Sequence, residues 1–148
     1  MPDMRTPTLV LIFVSTTLGC TGEDSERQSA QQLLQEQVSL GADLYKRKCA
    51  TCHGKSGEGT SDGPRLVGLD QGALPLEPPA SAKLRNTSFV TVADVAEFVV
   101  ANMPLGMSGS LSTDEYLSVL AFDLSANGIE LDQKLTLDLA GTLEIPRK

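Results

Sequence analysis

Apolar and polar positions divide the chain into blocks. Residues 9–14 read Leu-Val-Leu-Ile-Phe-Val, a short unbroken apolar run. Residues 20–38 are polar and sparse in apolar side chains, which predicts a mobile tether. A first helix is expected to start near Ser39, with Ser39 as cap candidate and Asp43 in its first turn, and to end at Cys49-Ala50-Thr51-Cys52-His53. Residues 54–88 are rich in Gly and Pro and read as loop. So long an irregular stretch is unusual in a small domain unless it wraps something. Thr91 then caps a helix with Asp94 at its third position, and Val92, Val95, Ala96, Val99 and Val100 recur at helical spacing. Asn102-Met103-Pro104 stops it, because the residue before Pro is pushed out of helical backbone. Ser112-Thr113-Asp114-Glu115 is a capping box, and the helix it opens runs to about Ala126, ended by Asn127-Gly128. Its apolar positions are Tyr116, Val119, Leu120 and Leu124. Residues 129–148 alternate in part through Leu135, Leu137 and Leu139, which predicts an extended tail laid over the domain. The folded unit is therefore expected to be all-α over 39–128, with a tail over 129–148.

The run at 9–14 is too short to span a membrane, and Arg5 precedes it. Residues 1–19 thus read as a signal peptide for export. Gly19-Cys20 at its end resembles a bacterial lipoprotein signal, which implies Cys20 as the lipid attachment site and a membrane anchor. Thr17 and Leu18 depart from that family's usual pattern. A periplasmic or cell-envelope location is expected.

Composition narrows the function. The 148 residues include no Trp, two Tyr and four Phe, a thin aromatic supply for a core. Small domains lacking such side chains draw stability from a disulfide, a metal or a cofactor. The formal net charge is -7 and no basic run occurs, so nucleic acid is not an expected partner. Charge is uneven. Residues 43–85 hold seven basic and five acidic side chains, and residues 86–148 hold three and nine. Such a dipole can steer docking with a charged redox partner, or be ordinary solvated surface.

The chemistry-bearing segment is Cys49-Ala50-Thr51-Cys52-His53, a Cys-x-x-Cys-His haem attachment signature. Two thiols three residues apart reach the two vinyl groups of one porphyrin, and the next imidazole sits over the iron. A zinc site would need four ligands, with only one cysteine pair and one His available. A thioredoxin-like pair needs a βαβ context that the flanks lack. A plain disulfide gives His53 no role. Because His53 is the sole His, the second axial ligand is Met, Lys, water or nothing. Met1 and Met4 lie in the leader, which leaves Met103 and Met107 in the loop Asn102-Met103-Pro104-Leu105-Gly106-Met107. Met103 is preferred, since Pro104 fixes the backbone beside it, with Met107 as the alternative. The glycines at 54, 57, 59 and 63 have the wrong spacing for phosphate-binding or dinucleotide loops.

Residues 39–128 resemble a class I c-type cytochrome. The matching pieces are Gly41-Ala-Asp-Leu-Tyr45, the Cys49-to-Gly54 segment, Gly57-x-Gly59, Gly63-Pro64-x-Leu66-x-Gly68, Met103-Pro104, Leu111-Ser112-x-x-Glu115 and Val119-Leu-Ala-Phe122. The resemblance implies a small cytochrome c fold of three to five helices wrapped round one covalent haem c with its iron. It also implies that Gly41 and Tyr45 cross against Val119 and Phe122. The Pro64 carbonyl would accept a hydrogen bond from His53, the kind of contact that fixes a ligand ring.

The leading expectation is a single-electron carrier, not itself an enzyme, because His/Met-ligated iron has no open position for substrate. Expected partners are redox proteins such as a dehydrogenase or a terminal oxidase. The alternatives are an electron-accepting haem subunit of a periplasmic dehydrogenase complex and a haem-based sensor of small ligands.

Overall fold

The computed structural model describes residues 22–73, 76–78, 80, 82 and 84–147. The leader and Cys20 lie outside them. Among the described residues five helices form: α1 (Gly22–Lys48), α2 (Ala50–His53), α3 (Val92–Asn102), α4 (Thr113–Ala126) and α5 (Leu137–Thr142). A single 3-10 turn, Leu69–Gln71, interrupts the long loop after α2. No strand occurs among the described residues; one isolated bridge pairs Thr91 with Glu144. The all-α expectation holds.

Two boundaries differ from those expected. The segment read as a tether is helical from Gly22 onward, so α1 starts well before Ser39. Polarity here does not mean disorder. Ala, Gln, Leu and Glu are strong helix formers. Glu23 and Asp24 meet the positive end of the helix dipole, and Lys46, Arg47 and Lys48 meet its negative end. Leu34, Gln37, Val38, Gly41 and Tyr45 fall on one face and are partly or fully buried. Gln37 forms a reciprocal pair with the chain's far end: its Nε2 donates to the Leu135 carbonyl at 2.9 Å, and the Leu135 N–H donates back to Oε1 at 2.8 Å.

The tail is the second correction, because it contains α5 rather than running extended throughout. Thr136 caps that helix, accepting from the Leu139 N–H at 3.2 Å. Leu135 is fully buried just before the helix, and Leu137 in its first turn faces solvent. The alternation of leucines was therefore a helix start seen in projection. Leu135, Ala140 and Ile145 complete a core shared with Phe89, Val92, Val95 and Ala96 around α3 and Leu117, Leu120, Ala121 and Leu124 of α4.

The α1–α4 crossing forms as expected. A Cβ on Gly41 would lie 1.9 Å from the Ser118 carbonyl oxygen and 2.9 Å from the Phe122 Cβ. Only a residue without a side chain lets the helices approach so closely. Tyr45 and Phe122 rings meet at 5.3 Å, with Val119 beside them. The expected Thr91 cap and Ser112 capping box are both present, and Thr91 with Asp94 also forms a full box. Asp94 N–H donates to Thr91 Oγ1 while Thr91 N–H donates to Asp94 Oδ2, and Ser112 and Glu115 repeat the pattern.

Candidate functional site

The last turn of α1 runs directly into α2. Cys49 N–H donates to the Tyr45 carbonyl at 2.8 Å, and His53 N–H donates to the Cys49 carbonyl at 3.0 Å. Both cysteines are therefore carried on helical backbone. Each is a free, half-buried thiol. Gly54 leaves the helix with φ +87°, and its carbonyl accepts the Tyr45 hydroxyl at 2.9 Å.

The following loop folds back over this turn. His53 Nδ1 lies 2.8 Å from the Pro64 carbonyl oxygen, and the imidazole is 9% exposed. A carbonyl only accepts, so Nδ1 carries the hydrogen, and the lone pair of the neutral ring resides on Nε2. Gly63 lets Pro64 come this near: a Cβ there would sit 2.8 Å from the Cys52 carbonyl oxygen and 3.0 Å from His53 Nδ1. Thr60 adds a hydroxyl bond to the Cys52 carbonyl, and Gly59 N–H donates to the His53 carbonyl at 2.8 Å.

Asn127, at the end of α4, fastens the other side of the loop. Its Nδ2 donates to the Leu66 and Asp123 carbonyls, each at 2.8 Å, and its Oδ1 accepts from Gly68 N–H at 2.9 Å. Asn127 was legible in the sequence only as a helix stop. Its second role as a bridge across about sixty residues has no local signature.

Burial pushes the Cys49 thiol up to about 11, with the nearby Asp123 carboxylate and Cys52 adding to the shift. Burial also raises Tyr45, helped by Asp123, Cys49 and Glu58. These groups are thus neutral near pH 7.

Met103 and Met107 stand on a separate segment, the loop between α3 and α4. Met103 is half-buried, while Met107 is 53% exposed. The Tyr116 hydroxyl, from α4, donates to the Met103 carbonyl at 2.7 Å and accepts from Gly109 N–H at 3.0 Å. One side chain therefore ties both ends of the loop to the core. Sequence reasoning placed Tyr116 only on an apolar face and missed this clamp.

Two free thiols on one helical turn, followed by an imidazole whose Nε2 lone pair is set by Pro64, form a donor set that fits a covalently held haem. A family profile described as cytochrome C oxidase, cbb3-type, subunit III matches residues 36–122, more than half of the chain. The chain belongs to this family of c-type cytochromes. The cytochrome is 33% identical over 92 residues to the cytochrome bc1 complex cytochrome c subunit of Corynebacterium efficiens, covering 53% of its own length and 31% of that protein's. It is 27% identical over 106 residues to the thiosulfate dehydrogenase of Psychrobacter arcticus, covering 70% and 30%. Among solved structures it resembles the sulfane dehydrogenase SoxCD from Paracoccus pantotrophus, with a TM-score of 0.53 and 27% identity over 74% of this chain and 53% of that one. The cytochrome spans less than a third of the length of both curated relatives. Family membership brings haem c with its iron, and electron transfer as the activity of the domain.

Proposed function

We propose that this cytochrome is an exported single-electron carrier with one haem, attached through Cys49 and Cys52 and ligated by His53 and Met103. When bound, the haem supplies a one-electron ferrous/ferric couple. The protein's part is to hold and orient it. The hydrogen bond from His53 to Pro64 carries the reading most directly. It fixes the ring's tautomer and orientation, the usual role of a ligand's second hydrogen bond. Met103 is favoured over Met107 because its backbone is tied to α4 by Tyr116 and its side chain is partly buried, whereas Met107 projects into solvent. His/Met ligation raises a haem's reduction potential and leaves no open position.

Residues 1–19 act as the signal peptide in this reading, and Cys20 takes the lipid. Helix α1 follows almost at once, so the spacer between a membrane surface and the haem domain is a helix rather than a loose chain. No helix among the described residues is long and apolar enough to cross a membrane. Relatives named as a bc1-complex subunit and as sulfur-compound dehydrogenases support a redox protein as partner, either a dehydrogenase delivering electrons or an oxidase collecting them. They also keep a second reading open, in which the cytochrome is the electron-accepting subunit of such a dehydrogenase.

A pyridine haemochrome spectrum of the purified protein tests the cofactor, with one c-type haem per chain as the expected result. The absorption band of Met-ligated ferric haem then tests the ligand. Its loss in Met103→Ala and survival in Met107→Ala support the assignment, and the opposite pattern overturns it.

A further inference from the structure

Among the described residues, Asp123 is the one acidic side chain buried in the core, and it lies beside the attachment turn. It lies on α4 one turn beyond Val119, which packs with Tyr45 and Cys49. Only 5% of Asp123 is exposed, and its Oδ1 is buried with no hydrogen-bond partner. The donors around it are already committed. The hydroxyl hydrogen of Tyr45 goes to the Gly54 carbonyl. Both amide hydrogens of Asn127 go to carbonyls, those of Leu66 and of Asp123 itself. Cys49 gives up its thiol hydrogen when it becomes a thioether.

The titratable groups facing Asp123 are Tyr45 and Cys49 at the end of α1, with Glu58 of the following loop close enough to act on Tyr45. None of these supplies positive charge. An ionised carboxylate in that setting is expensive, so the group retains its proton. Burial pushes the carboxyl up to about 7. A buried acid that titrates near neutrality is well placed to respond to a charge change next to it. Withdrawing an electron from a haem bound at Cys49 adds one positive charge there, and a nearby positive charge favours the carboxylate.

We propose that Asp123 is a proton-binding site coupled to the electron carried by this cytochrome. Asp123 keeps its carboxyl proton in the reduced protein. It releases that proton to water when the electron passes to a one-electron redox partner, and takes it back on reduction. One electron and one proton leave together, and no bond to the carboxyl carbon changes. The proposal rests on the reading that Cys49 carries haem.

Potentiometric titration of the holoprotein from pH 5 to 9 tests it. The reduction potential should fall as pH rises through a window around 7. The limiting slope is a tenfold change in the oxidised-to-reduced ratio per pH unit, about 59 mV for one electron. Asp123→Asn should give a flat profile across that window. A flat wild-type profile, or a variant with the wild-type slope, overturns the proposal. A second measurement needs no variant. The reduced-minus-oxidised infrared spectrum of the wild-type holoprotein should contain a protonated-carboxyl band that vanishes on oxidation and shifts in heavy water, and its absence also overturns the proposal. A pyridine haemochrome spectrum of the same sample separates the two failures. Missing haem sinks the attachment reading, whereas haem present with no proton linkage sinks only the role of Asp123.

Discussion

Replacing Gly41 with Ala perturbs the point where α1 and α4 touch. The new Cβ would meet the Ser118 carbonyl oxygen at 1.9 Å, its carbon at 2.5 Å and the Phe122 Cβ at 2.9 Å. Two of these are backbone atoms and the third is fixed to the backbone, so no rotamer change relieves the clash. Restoring ordinary contact near 3.4 Å requires the helices to part locally by about 1.5 Å. That separation loosens the Tyr45–Phe122 pair and the Val119 contact. Overpacking of this kind costs about 1–3 kcal/mol, and the rigid neighbours place it near the upper end. Against this, Ala is better than Gly inside a helix by about 1 kcal/mol. The net loss is about 2 kcal/mol, which lowers the melting temperature of a chain of this size by roughly 4–8 °C. Gly141, in α5, is the matched control, since a Cβ there meets nothing within 4 Å. Gly141→Ala should therefore hold or raise the melting temperature. Thermal unfolding of the holoproteins followed by far-UV circular dichroism reads both. If Gly41→Ala is as stable as wild type, the close crossing is refuted.

Other expectations follow from the same contacts. Tyr116→Phe removes the hydroxyl shared by Met103 and Gly109, with a cost of about 1–2 kcal/mol and a weaker Met band. Carbon monoxide binding to the reduced protein should increase in that variant. Asn127→Ala strips partners from Leu66, Gly68 and the α4 terminus, so amide hydrogen exchange at Gly68 should accelerate while exchange within α3 stays unchanged. Burial raises the Asp123 carboxyl from 3.8 to about 7 in the folded chain, so folding is favoured most by this group below about pH 4 and loses that support as pH rises through 7. Urea unfolding across that range should show a falling stability, by at most about 4 kcal/mol, that Asp123→Asn flattens. Thr91→Ala removes the cap of α3 and should cost about 1 kcal/mol in the same assay.

Much of this was legible from local chemistry. The Thr91 and Ser112 caps and the Asn127-Gly128 stop are short-range signals, each with one dominant physical cause, whereas the glycine at the α1–α4 crossing was implied only by the family resemblance. The attachment motif was legible for the same reason, because its chemistry demands contiguous residues. Residues 22–38 were misread because low hydrophobicity signals disorder only where no apolar face finds a partner. Here Val38 packs against the core, and a buried Gln37 grips the backbone of Leu135 from nearly a hundred residues away. The tail was misread because Leu135, Leu137 and Leu139 fit both a strand and a helix start, and only the Thr136 cap decides between them. The contacts made by Tyr116, Asn127 and Asp123 were not legible. Tyr116 and Asp123 sit on α4 and Asn127 at its C-cap, and the role of each depends on segments that the sequence does not place in space.

Covalent haem attachment is decided by the chemical state of the turn holding Cys49, Cys52 and His53. Mass spectrometry of the proteolytic peptide spanning that turn, from protein produced with its own export signal, measures it in one step. Attachment at both thiols gives a peptide heavier by one haem, with neither cysteine open to alkylation. An unmodified peptide in which Cys49 and Cys52 both alkylate would contradict it.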